Sequence, residues 1–232
     1  MSKKVTARKN SYLKNIVLKT KNFSTIQKVC FDAHENLRMA AIIGDAGLGK
    51  TTALNYYCSQ YEDVYIVTVR KSMSANQFYL AVLEELGVYD QDKDVSLHHL
   101  LRKVSWILNK NENNNLLIFD EAGKFTHTML EYLHELRDST LTTTGIILSG
   151  PGYFQDKVQK WVSKNVEGIP ELFTRINFWQ ILSLPSRIEI KALCEAYELL
   201  DIETIKNIQN NCKDFRSIMN EITRIKIAQG QV

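Results

Sequence analysis

Cysteine is too sparse and too scattered here to staple or to ligate: Cys30, Cys58, Cys194 and Cys212 form no C-x-x-C pair. Neither a zinc site nor a disulfide framework is expected, and buried reduced thiols are the simple reading. Histidine is equally uninformative, because none of the five, the adjacent His98 and His99 included, stands at a zincin spacing. No apolar run approaches the roughly 18 residues of a membrane helix, and the first residues lack the apolar stretch of a secretory signal. A cytoplasmic protein with no membrane partner is therefore expected. Internal repeats are absent, and the one biased tract is the polar loop "NKNENNN".

What the chain does have is an ordinary globular composition, 44% hydrophobic and 24% charged, at a length of 232 residues that suits one large domain or a domain with a satellite. Net charge is only +3, but residues 1–31 carry Lys3, Lys4, Arg8, Lys9, Lys14, Lys19, Lys21 and Lys28 with no acid. A basic arm of that kind suits a polyanion such as DNA, since each phosphate contact releases condensed counterions.

Apolar periodicity alternates between two types of element. Ser24 with Gln27 has the form of a capping box, and Ile26, Val29, Cys30, Ala33 and Leu37 predict a helix over 25–37. "MAAII", "VYIVTV" (64–69), "LLIFD" (116–120) and "TGIILSG" (144–150) read as strands, the apolar ones suited to a buried parallel sheet. Between them lie helices over Thr51–Ser59, from Ser74 through Leu86, over 96–108, and along "HTMLEYLHELRDS". This alternation predicts an α/β fold with a parallel sheet covered on both faces. After Pro185 three helical stretches follow without a strand. The expected domains are a basic arm (1–23), an α/β core (24–184) and a small all-helical appendage (185–232).

The segment "GDAGLGKT" fits G-x-x-x-x-G-K-[ST], with Gly44, Gly49, Lys50 and Thr51 in their places between a strand and a helix. Glycines let backbone amides turn inward around phosphate oxygens, and the helix N-terminus adds positive potential. Gly44, Asp45, Ala46, Gly47, Leu48, Gly49, Lys50, Thr51 and Thr52 are thus the expected ATP-binding residues. Lys50 would bridge the β- and γ-phosphates, and Thr51 would reach Mg²⁺. A carboxylate across the site is also needed. "LLIFDE" supplies Asp120 for Mg²⁺ and Glu121 to orient or deprotonate the water that attacks the γ-phosphate.

With these motifs the chain resembles the AAA+ ATPases from about residue 24 to 228, which implies a three-layer P-loop domain with a helical lid. The resemblance implies that Ser149, ending "IILSG", is a polar sensor of the γ-phosphate. It maps the arginine finger onto Arg175 in "ELFTRI", and the lid-helix sensor onto Arg216 in "KDFRSIMNEI". Within that family the chain looks most like the DNA-transposition group, the phage Mu B protein, TniB and TnsC, with ExeA-like ATPases nearby. The features are "AHENLRMAAIIGDAGLGKTTAL", "LIFDEA", "LHELRDST" and "GIILSGPGYF".

The group implies a magnesium-dependent ATPase that oligomerises as a ring or filament on double-stranded DNA and presents that DNA to a transposase, with hydrolysis disassembling it. A complete helix-turn-helix domain like that of the Mu B protein is not expected before residue 24, and the basic arm, with Arg8 and Lys9, is expected as a substitute. "RKSMSANQF" stands where protein-unfolding motors carry an aromatic pore loop, so Arg70, Lys71, Lys93 and Lys103 are candidate phosphate contacts. Such contacts position DNA without reading bases. A replication initiator or helicase loader, and an ExeA-like module that does not bind DNA, are the alternative functions.

Overall fold

The structure, a computed structural model, describes residues 18–89 and 95–230. Two compact units emerge, Thr20–Leu184 and a helical unit of residues 185–230 with Leu18 and Lys19. The larger unit runs α1 (Lys21–Glu35), β1 (Met39–Ile43), α2 (Lys50–Cys58), β2 (Val64–Thr68), α3 (Ala75–Glu85), α4 (Leu97–Lys110) and β3 (Asn115–Asp120). It continues through a 3₁₀ turn (Ala122–Lys124), α5 (His127–Ser139), β4 (Thr144–Gly150), α6 (Gly152–Ser163), α7 (Ile169–Arg175) and β5 (Ile176–Ile181).

The five strands pair in parallel in the order β2-β3-β4-β1-β5. Because successive strand residues point to opposite faces, each central strand feeds two cores. Met39, Ala41 and Ile43 join Leu117, Phe119, Ile146 and Leu148 in the cluster that α3 to α7 cover. Ala40 and Ile42 join Leu116, Ile118 and Ile147 in the cluster beneath α1 and α2. Burial on both faces is why these strands read as continuous apolar runs.

At Gly145 the α1 side approaches so closely that a Cβ there would lie 2.0 Å from the Ala33 carbonyl oxygen. Arg137 secures the same end of the sheet, donating to the carbonyls of Thr144 (2.6 Å) and Leu37 (2.7 Å).

Helix α1 starts four residues before the predicted one. Thr20, not Ser24, is the N-cap, its hydroxyl accepting from the Phe23 N–H at 3.0 Å. Phe23 is buried, so the apolar face already extends to it. Gln27, freed from a capping role, donates to the Ala53 carbonyl on α2 at 2.7 Å. The capping box at Ser74 and Gln77 is present as predicted. α6, α7 and β5 have no counterpart in the sequence reading.

The helical unit holds α8 (Arg187–Ala196), α9 (Ile202–Asn211) and α10 (Phe215–Ala228). Ile190, Leu193, Cys194, Ile205, Ile208, Ile218 and Ile222 form its own core. Among the described residues no helix is long and apolar enough to cross a membrane, and all four cysteines are free, Cys30 and Cys194 buried.

Candidate functional site

The site is assembled at the C-terminal ends of β1, β3 and β4. Following β1, the loop over Gly44–Gly49 turns with Gly47 and Gly49 at φ of 86° and 83°, a region that only glycine enters without strain. Gly49 is the N-cap of α2 and has no side chain to satisfy the first helical N–H groups. In α1, α3, α4, α5, α8, α9 and α10 a Ser, Thr or Asp side chain fills that role. The α2 terminus is thus left as a ring of amide donors suited to an anion. The ammonium of Lys50 bends over the loop and donates to the carbonyls of Gly44 and Asp45.

Asp120, ending β3, is only 3% exposed yet fully engaged. Its Oδ2 accepts from the Thr51 hydroxyl at 2.6 Å, and its Oδ1 accepts from the Ser149 hydroxyl and the Glu121 N–H, both at 2.9 Å. A buried carboxylate tolerates its environment only when hydrogen-bonded in this way, and the bonds from Thr51 and Ser149 tie α2, β3 and β4 into one cluster. The donor set also fits Mg²⁺, a hard cation that takes one or two protein oxygens and keeps waters and phosphate oxygens for the rest. No group of three or more His, Cys, Asp or Glu among the described residues could hold a metal by itself.

Glu121 leaves the strand in the left-handed region, at φ 61°, which is uncommon for a residue with a side chain. Its carboxylate is 3.3 Å from the Lys124 ammonium. Arg175, ending α7, is exposed and makes a two-pronged contact with Asp138, Nε to Oδ1 at 2.8 Å and Nη2 to Oδ2 at 3.1 Å. That pairing holds the Asp138 carboxyl below the usual aspartate range. Arg216 belongs to the helical unit, exposed in the first turn of α10, where its N–H donates to Asp214 Oδ1 at 2.9 Å.

Arg70 and Lys71 are exposed in the turn after β2, and neither is ion-paired among the described residues. The turn departs beside the site, since the Val69 N–H donates to the Asp120 carbonyl at 2.9 Å. Lys103 is half-buried on α4. Arg8, Lys9 and Lys93 lie outside the described residues. Sequence reasoning missed the approach of α6: Lys157 donates to the carbonyls of Gly123 (2.6 Å) and Phe125 (2.8 Å), on the turn that Glu121 opens. The available signal was a Tyr153, Lys157, Trp161 row at four-residue spacing.

A glycine loop opening a helix, a buried strand-end aspartate across from it and a parallel sheet in this strand order define a P-loop ATPase domain. Residues 33–158, more than half of the chain, match the sequence model of the AAA domain, and the chain belongs to that family.

Its curated relatives include the Mu-like prophage FluMu DNA transposition protein B of Haemophilus influenzae, 24% identical over 176 residues that cover 74% of this chain and 58% of that protein. The ATP-dependent target DNA activator B of Escherichia phage Mu is 26% identical over 163 residues, covering 69% and 49%. The chain therefore spans about half the length of the curated relatives it matches.

Among solved structures, the Aeropyrum pernix ORC2 protein superposes with a TM-score of 0.69 at 14% identity over 94% of this chain and 67% of that one. The replication initiator DnaA does so with a TM-score of 0.60 at 19% identity, over 91% and 62%. At these identities the likeness is one of fold.

Proposed function

We propose that the protein is an ATP-dependent DNA-binding ATPase that assembles on double-stranded DNA without strong sequence preference and delivers that DNA to, or activates, a transposase. The observation that carries this reading is the Thr51–Asp120–Ser149 cluster beside the uncapped α2 terminus, in a chain whose sequence relatives are named for DNA transposition and ATP-dependent target DNA activation. The replication proteins share the fold at lower identity, which leaves the transposition reading the better supported one.

In the proposed mechanism the loop amides over Gly44–Thr52 cradle the triphosphate, and Lys50 moves from the loop carbonyls to the β- and γ-phosphates. Thr51 and Asp120 hold Mg²⁺, which when bound offsets charge on the phosphates. Glu121 takes or aligns the proton of the attacking water, and Ser149, hydrogen-bonded to Asp120, registers the γ-phosphate. Arg175 reaches the nucleotide of a neighbouring subunit, and Arg216 serves as the lid sensor. Arg70 and Lys71, with Lys103 and the basic arm, meet DNA phosphates. Hydrolysis releases the assembly from DNA.

A filter-binding titration with random duplex, with and without ATP, tests the proposal. Affinity should rise with ATP and fall steeply with salt. Absence of ATP-dependent binding at low salt would remove the DNA platform while leaving the nucleotide site standing.

A further inference from the structure

One face of α6 packs against the turn after β3, beside the end of β4. Within the turn, the Lys124 N–H donates to the Glu121 carbonyl at 2.9 Å and the Phe125 N–H to the Ala122 carbonyl at 3.1 Å. The carbonyls of Gly123 and Phe125 instead accept from the Lys157 ammonium at 2.6 and 2.8 Å. Both bonds flank Lys124, the residue that pairs with the Glu121 carboxylate.

One helical turn before Lys157, Tyr153 lies against Gly123 so tightly that a Cβ there would be 2.9 Å from the ring. One turn after it, Trp161 meets the His127 ring with centroids 6.0 Å apart. The row Tyr153, Lys157, Trp161 therefore runs along residues 123–127.

Lys157 has no carboxylate partner among the described residues, and burial pushes its ammonium below the usual lysine range. A half-buried cation without a counter-ion costs free energy. Here two charge-assisted bonds to carbonyls offset that cost, with a further contribution from the Trp161 face, 5.0 Å from Nζ to centroid. Both bonds converge on one atom, so Nζ ties the Gly123 and Phe125 carbonyls to a single point on α6.

The first turn of α6 also borders the glycine loop, since a Cβ on Gly152 would lie 3.7 Å from Asp45 Oδ1. The helix thereby spans the nucleotide loop and the turn that Glu121 opens.

We infer that Lys157 is a positioning residue for hydrolysis: by gripping the carbonyls of Gly123 and Phe125 it sets the turn that places the Glu121 carboxylate against the attacking water. This rests on the reading of Glu121 as the residue that handles water. In this role Lys157 acts through the turn, by its bonds to the Gly123 and Phe125 carbonyls.

The test uses the full chain with Mg-ATP and duplex DNA. Lys157→Met keeps the aliphatic stem and removes the donors; kcat should fall about 10- to 100-fold, as for a small misplacement of a reacting group. KM for ATP and the affinity for a fluorescent ATP analogue should be unchanged, and Lys157→Arg, which can still reach both carbonyls, should restore much of the loss. In a Glu121→Gln background, adding Lys157→Met should cost nothing further, because the two act on one step.

Wild-type turnover by Lys157→Met, a loss confined to nucleotide affinity, or losses that multiply in the double variant would each overturn the inference. If Glu121→Gln alone turned over normally, the underlying reading of Glu121 would fail instead, and the inference with it. Should Lys157→Met not fold, Tyr153→Leu loosens the packing of α6 on Gly123 from a residue that is 57% exposed. It should lower kcat at constant nucleotide affinity, and unchanged kcat would overturn the inference.

Discussion

Glu121 and Lys50 stand on opposite sides of the proposed reaction and should fail in different ways. Lys50 supplies charge to the phosphates, so Lys50→Ala should abolish nucleotide binding and every step that follows from it. Glu121 acts on water, so Glu121→Gln should bind ATP normally while turnover falls by about 10²-fold or more, the scale of lost general-base assistance. Retained turnover in the glutamine variant, followed as phosphate release, would assign the water to another group.

Arg175 needs a different experiment because its proposed target is on another chain. Alone, it is engaged by Asp138 in the same chain at 2.8 Å, and that contact must open for it to act on a neighbour. Arg175→Ala should lower turnover only in assembled protein. Mixing it with Lys50→Ala protein should restore activity, because each variant supplies what the other lacks. No restoration in the mixed assembly would leave Arg175 as the partner of Asp138 and nothing more.

At the scale of elements, the N-terminus of α1 separates two capping residues that the sequence does not distinguish. Thr20 accepts from the Phe23 N–H, whereas the Ser24 N–H already donates to the Thr20 carbonyl inside the helix. Thr20→Ala should therefore destabilise the larger unit by about 1 kcal/mol and Ser24→Ala by much less, measured by urea unfolding; equal effects would contradict this cap.

The same element shows where the sequence could and could not be read. Ser24 with Gln27 satisfies the capping pattern, but the pattern cannot register that Phe23 is needed in the core and Gln27 on α2. The runs forming β1, β3 and β4 were legible because both of their faces are buried. β5 was not: "INFWQI" lies at the sheet edge, is mostly half-exposed, and follows α7 with no turn residue between.

Of the candidate site, the glycine loop, Lys50, Thr51 and the Asp120–Glu121 pair were legible because a phosphate-binding loop fixes residue types at fixed offsets. Ser149 entered only by family resemblance, and Lys157 not at all, since a lysine that bonds to backbone carbonyls leaves no partner residue to recognise in sequence.

At the scale of the whole molecule, the proposal makes assembly depend on two ligands at once. Triphosphate held between subunits supplies the contact that Arg175 completes, and a duplex supplies a continuous line of negative charge for the cations after β2 and in the basic arm. Sedimentation of the full chain should therefore show large assemblies only when a non-hydrolysable ATP analogue and duplex are both present, with smaller species when either is omitted. Because the proposed contacts are to phosphates, changing the duplex sequence should alter affinity little. The logarithm of the binding constant should fall linearly with the logarithm of salt, by about 0.9 for each phosphate neutralised. Arg70→Ala with Lys71→Ala should flatten that slope and weaken all duplexes alike, whereas a base-reading role would weaken some sequences far more than others. A chain that stayed monomeric with both ligands saturating would overturn shared nucleotide contacts and the DNA platform together.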